Sequence, residues 1–220
     1  DRAIGTVSKA LGEAIVLVLA LLLAFLGNLR AAIAVACVLP LAALTTFILM
    51  RLTRISANLM SLGGLAIAIG MLVDAAVVVV ENVESQFAEA QDNLPTLHLI
   101  FRAASEVAAP VTSGIVIIII VFLPLLTLQG LEGKMFAPVA LTIVFALASS
   151  LLLSLTVVPV LASYLIKRGA HNEPWLVKKL AAAYDRVLTS ALTHSRIYMI
   201  GALIALAAAA GAFLLLGKSF

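Results

Sequence analysis

Asp74 is the residue in this chain best placed to do chemistry. It lies about fifteen residues into a stretch, Leu59 to Val80, that holds no other ionisable side chain. Hydrocarbon offers no water to solvate a carboxylate, so an acid at that depth is costly and is by default functional. Unpartnered, such a group is held neutral; beside a cation it is charged. A group that changes charge as its neighbour moves can carry a proton across a membrane. The plainer alternative is a polar group hydrogen-bonded between packed helices.

Glu81 follows seven residues later, two helical turns and about 10 Å further along the same face. It reads either as a step on a proton path from the cytoplasm or as the first solvated charge beyond the span. Ala66, Gly70 and Asp74 recur every four residues, and Gly63 precedes Gly70 by seven, so all four share one face with Asp74 at its end. Small residues let helices approach closely in a membrane. The expectation is that Gly63, Ala66 and Gly70 build packing that brings a neighbouring helix up to the acid.

No Lys, Arg or His falls at membrane depth in any apolar span. A cationic partner for Asp74 must therefore come from outside this chain. His98, His171 and His194 lie in polar segments without metal-ligand spacing, and read as solvated side chains. Met60 and Met71 are soft enough for a thiophilic metal. Two methionines without further ligands read more simply as packing, and Met60 stays a candidate only. Thr112, Ser113, Thr142, Ser149, Ser150, Ser154 and Thr156 dot the later spans; such hydroxyls usually bond back to their own helix, with one or two able to face Asp74. There is no nucleotide-binding loop, no nucleophile beside a base and no nucleic-acid patch. An enzyme, an ATP-driven device and a nucleic-acid binder are set aside, and no cofactor is expected.

The elements that position these residues must span a bilayer. Of 220 residues, 64% are hydrophobic and 11% charged, under half the ~25% charged residues of soluble domains, and the mean hydropathy is +1.21. The one cysteine, Cys37, sits in an apolar span and reads as a small buried hydrophobe. The apolar runs predict an all-α, polytopic membrane helix bundle. Six transmembrane helices are expected at about 10–27, 31–50, 59–80, 107–128, 135–166 and 197–216, on the ~17–25 residues a crossing needs. Pro40 is expected to kink the second. The fifth is long enough that it must tilt, bend near Pro159 or protrude. A polar helix from Thr96 to Glu106 should lead into the fourth span.

Between the last two spans, Asn172, Glu173 and Pro174 suggest a helix start. Leu176, Leu180, Tyr184, Val187, Leu188, Ala191 and Leu192 then recur at helical spacing, with Lys178, Lys179, Asp185 and Arg186 between them. Residues 174–193 are thus expected as an amphipathic helix on the cytoplasmic membrane surface. Arg30, Arg102, Lys167, Arg168, Lys178, Lys179, Arg186 and Arg196 fall on one side of the bilayer, against Arg51, Arg54 and Lys134 on the other. The positive-inside rule puts the first set in the cytoplasm and both chain ends outside. The chain opens on Asp1 and Arg2 without a methionine, and reads as a portion of something longer.

Asn58–Val83, with Gly63, Gly64, Gly70, Asp74, Glu81 and Asn82, resembles the fourth transmembrane helix of resistance–nodulation–division efflux pumps. Glu106–Ser113, with Pro110, resembles the opening of that family's fifth helix, and Leu128–Pro138 the turn into its sixth. The segment near Pro174–Leu192 resembles its surface helix. The resemblance covers essentially the whole chain, as helices two through seven. It implies an inner-membrane transporter of bacteria that exchanges protons for substrate. It further implies a homotrimer working with a periplasmic adaptor and an outer-membrane channel, completed by periplasmic porter regions and a second helical half. Asp74 falls on the proton-carrying position, while the family's lysine has no counterpart in this chain.

Multidrug members carry two adjacent acids, whereas Asp74 is followed by Ala75 and Ala76, as in the heavy-metal branch. Some divalent-metal pumps carry another acid at the position of Ala68. Copper and silver pumps carry intramembrane methionines, of which only Met60 is matched; Leu72, Val79, Leu147 and Ala162 occupy the others. The expected function is therefore heavy-metal cation efflux, with the metal left open. The alternatives are a drug or solvent exporter of the same superfamily and a non-transporting membrane scaffold.

Overall fold

The structure, a computed structural model, describes residues 2–89, 94–166 and 175–215, and every regular element among them is helical. The chain forms two compact units, Asp1–Asn172 and Glu173–Phe220. The first holds α1 (Arg2–Leu26), α2 (Leu29–Ala36), α3 (Val38–Leu52), α4 (Leu59–Leu72), α5 (Asp74–Glu89), α6 (Thr96–Phe122), a 3-10 turn (Leu123–Thr127) and α7 (Gly130–Leu165). The second holds α8 (Trp175–Thr193) and α9 (Ser195–Leu215).

Five of the six expected spans fall on helices long and apolar enough to cross a bilayer: Leu29–Leu52, Leu59–Glu89, Thr96–Thr127, Gly130–Leu165 and Ser195–Ala212. The first expected span, about 10–27, differs. It lies on α1, whose apolar stretch is only Ile15–Phe25. Lys9 and Glu13 cut the run short on its N-terminal side.

α7 organises the first unit. It packs against α2, α3, α4, α5 and α6, while α1 packs on α2 and α4. The core between them is aliphatic: Leu39, Leu65, Leu72, Ile143, Leu147, Val79, Val83 and Val158 are all almost wholly enclosed. Although α7 contains Pro138 and Pro159, it runs as one helix of 36 residues, about 54 Å long at 1.5 Å per residue. Its length is thus not relieved by an interruption at Pro159. α6 likewise runs without a break from Thr96 through Pro110, so the polar lead-in and the fourth span form one helix.

Local chemistry sets the turns. Gly27 takes φ +65°, a left-handed conformation that glycine alone adopts freely. Asn28 then caps α2, its side chain accepting from the Arg30 amide at 3.1 Å. Asn58 and Ser61 form a reciprocal capping box at the start of α4, with both bonds at 2.9 Å. The second span breaks at Cys37, between α2 and α3, rather than at Pro40 itself. Pro40 has no amide hydrogen to offer the carbonyl one turn back, so the ladder fails N-terminal to it.

Asn28 also reaches across the fold. Its Nδ2 donates to Oε1 of Glu84 at 2.9 Å, and Glu84 is 5% exposed. One side chain thus caps α2 and ties the α1–α2 turn to α5. Asn28→Ala removes both bonds. A cap contributes about 0.5–2 kcal/mol and an intramolecular hydrogen bond about 0.5–1.5 kcal/mol. The variant is expected to lose roughly 1–3.5 kcal/mol, read as a lowered unfolding midpoint in detergent, whereas Asn28→Ser keeps a capping oxygen and loses only the tie to Glu84.

In the second unit α8 packs on α9. The chain turns at His194 between them, and the Tyr198 hydroxyl donates to Ser190 Oγ at 3.3 Å. α8 begins at Trp175 and matches most of the expected 174–193 segment; the capping residues Asn172, Glu173 and Pro174, together with His171, lie outside the described residues.

Candidate functional site

The sequence predicts an unbroken helix through Asp74. Instead, α4 ends at Leu72, Val73 is a turn, and Asp74 is the first residue of α5. The carbonyl at the break, that of Leu72, accepts a hydrogen bond from the Ser150 hydroxyl on α7. A side chain inserted into the ladder is a recognised cause of helix interruption. Asp74 therefore sits at a discontinuity within an apolar span.

The two faces of α4–α5 differ sharply. Leu65, Ala68, Leu72, Ala76, Val79, Val80 and Val83 are buried against the bundle. Gly63, Ala66, Ile67, Gly70, Asp74, Val78 and Glu81 are exposed on the opposite face. Among the described residues of the first unit the small-residue stripe is thus not packed: a Cβ added at Gly63 or Gly70 meets nothing within 4 Å. The close approach falls on Gly64, where a Cβ would lie 2.7 Å from the Val139 carbonyl oxygen on α7. The seven-residue spacing picked out the outward glycine; its neighbour faces the core.

Asp74 opens into a cavity of about 350 Å³. Val78 from α5, Val111, Gly114 and Ile118 from α6, and Leu147 from α7 line it beside the acid. The lining carries no ionisable group but Asp74 itself. Glu81 is exposed two turns on, on the same side of α5.

Beyond Glu81 lies a polar cluster whose members Asn82 and Glu106 the sequence named within the resemblance, not as partners. Asn82 Nδ2 donates to the Ala103 carbonyl at 2.8 Å and to Glu106 Oε2 at 3.2 Å. Gln86 Nε2 donates to the same oxygen at 3.1 Å, and Arg102 Nε pairs with Glu106 Oε1 at 3.0 Å. The Asn82 and Gln86 bonds clasp α5 to α6 where the apolar stretch gives way to charge, and Arg102 braces Glu106 from within α6. Of the residues named for metal, Met60 is partly exposed at the start of α4. Among the described residues, no group of three or more His, Cys, Asp or Glu side chains is disposed to hold a metal ion.

A helical bundle built for a bilayer, with an acid at a broken span, defines a polytopic membrane protein. All 220 residues match the AcrB/AcrD/AcrF family, and the chain belongs to that family. It is 40% identical over 228 aligned residues to the cobalt-zinc-cadmium resistance protein CzcA of Cupriavidus metallidurans, covering all of this chain and 21% of that protein. Against protein HelA of Legionella pneumophila it is 43% identical, over 94% of this chain and 20% of the relative. Against the nickel-cobalt-cadmium resistance protein NccA of Alcaligenes xylosoxydans xylosoxydans the figures are 39%, 99% and 21%. The chain thus spans about a fifth of the length of the curated relatives it matches.

Proposed function

We propose that this chain is one helical half of the membrane domain of a proton-driven efflux pump for heavy-metal cations in a bacterial inner membrane. Asp74 is the carboxyl that takes up and releases the proton. One observation carries the reading: an acid stands at a break within an apolar span, on the face that the described residues of the first unit leave uncovered, with no cation lining its cavity. A carboxylate so placed needs a cation from another part of the assembly when charged, and loses that attraction when protonated. The membrane potential contributes ~2.3 kcal/mol per charge per 100 mV. That is enough to bias conformers separated by a few kcal/mol.

In this reading the Gly63, Ala66 and Gly70 face meets the second helical half of the pump, and Glu81 marks the cytoplasmic approach to Asp74. The pump is a homotrimer, completed by periplasmic porter regions, an adaptor and an outer-membrane channel. Both chain ends lie on the periplasmic side. A cation cargo is favoured by the single acid followed by Ala75 and Ala76, and by the metals in the names of CzcA and NccA.

The cargo test is a resistance profile of cells expressing the pump that carries this chain. Raised tolerance to cobalt, zinc, cadmium or nickel, with no change toward dyes and detergents, is expected. Tolerance to dyes and detergents alone would assign the pump to drug export instead.

A further inference from the structure

We propose that Ser150 is a positioning residue for the Asp74 carboxyl: its hydroxyl holds the Leu72 carbonyl away from the helical ladder and so fixes the break from which Asp74 departs. The proposal rests on the reading of Asp74 as the proton carrier, and adds to it a residue on a different helix.

Serine and threonine hydroxyls in helices normally bond back to the carbonyl one turn earlier. Three threonines of this chain follow that habit. Thr46 donates to Ala42, Thr142 to Pro138 and Thr193 to Thr189, each at 2.7 Å. Ser150 departs from it. Its donor reaches Leu72, 78 residues away in sequence, and the bond is buried. Ser149 and Ser154, equally buried on α7, have hydroxyls without a hydrogen-bond partner among the described residues. Ser150 alone of these three is committed to another helix.

The target is also specific. Leu72 is wholly buried, so no water competes for its carbonyl, and Val73 is the turn that separates α4 from α5. Leu147, one turn before Ser150 on α7, lines the same cavity as Asp74. The donor, the broken carbonyl and the acid therefore surround one joint. Of the elements at that cavity, α6 contributes Val111, Gly114 and Ile118 and α7 contributes Leu147, none of them titratable. Without the hydroxyl, the freed Leu72 carbonyl turns back to the amide of its own helix, the joint straightens, and Asp74 is redirected.

The test uses the complete pump, reconstituted in liposomes at matched protein amounts, with metal-dependent proton flux measured across a pH series. Ser150→Ala is expected to lower the flux about tenfold, the worth of one buried hydrogen bond in a rate, and to move the midpoint of the pH profile by half a unit or more. Ser150→Thr, which keeps the hydroxyl, restores both; Ser150→Cys, of similar size with a weaker donor, falls between. Asp74→Asn is run alongside. If it is inactive while Ser150→Ala keeps the wild-type flux and pH profile, the positioning role is overturned and the Asp74 reading stands. Equal losses in Ser150→Ala and Ser150→Thr also overturn it, because the hydroxyl is then irrelevant. Normal flux in Asp74→Asn overturns both.

Discussion

Asp74→Asn is expected to lower proton-coupled export at least 100-fold while leaving the protein assembled in the membrane. Asparagine has the size and shape of the acid and keeps a carbonyl oxygen for hydrogen bonding, but it cannot gain or lose charge. The side chain stands on the exposed face of α5, opposite the packed residues Ala76, Val79, Val80 and Val83. The substitution therefore leaves the core contacts intact, and its effect on stability should stay within about 0.5 kcal/mol. A fixed neutral group cannot be drawn toward a cation in one state and released in the other, so the few kcal/mol that drive the conformers apart vanish. Metal resistance, liposomal proton flux and the melting midpoint of the purified pump separate the cases. Wild-type resistance in the variant would end the relay reading. Loss of the folded protein would mean that Asp74 serves structure instead.

Much of the architecture could be read from one-dimensional patterns, because apolar run length is a property of the chain itself. The spans that begin near Ala31 and Leu59 lie on helices whose starts are capped by Asn28 and Asn58. The first span was less legible, since Lys9 and Glu13 leave too short an apolar run on α1. Of the two breaks, the one in the second span was expected at Pro40 and fell at Cys37, and the one at Val73 was not expected. The one at Cys37 is displaced a turn from the proline behind it, which is local chemistry and could have been anticipated. The one at Val73 depends on a serine 77 positions along the chain, and no periodicity reports such a contact. Asp74 announces itself by type and depth; the device that sets its direction does not. Glu84 shows the same divide. In sequence it is one more charge after Glu81, yet in the fold it is buried and bonded to Asn28, whereas Glu81 is exposed.

Gly64 is where substitution should cost the fold most. α4 packs on α7 in the first unit, and at Gly64 they meet backbone to backbone. A Cβ there would sit 2.7 Å from the Val139 carbonyl oxygen and 3.1 Å from its Cα. Those are main-chain atoms of a long continuous helix that also packs on α2, α3, α5 and α6. Val139 cannot yield by changing a rotamer, so α7 as a whole must move and carry its other contacts with it. Overpacking a tight core costs about 1–3 kcal/mol, and Gly64→Ala should lie at the upper end. Gly64→Val, which adds two methyl groups and a stiff χ1, should exceed that and leave little folded protein in the membrane. Gly63→Ala is the control. Its Cβ would meet nothing within 4 Å in this chain, and alanine favours a helix over glycine by about 1 kcal/mol, so in a detergent melt of this chain without the second helical half proposed to meet that face it should be neutral or slightly stabilising. Equal melting midpoints for Gly63→Ala and Gly64→Ala would show that α4 is not seated on α7 in this register. Such a shift would also undo the Ser150–Leu72 contact, two turns further along the same helix pair.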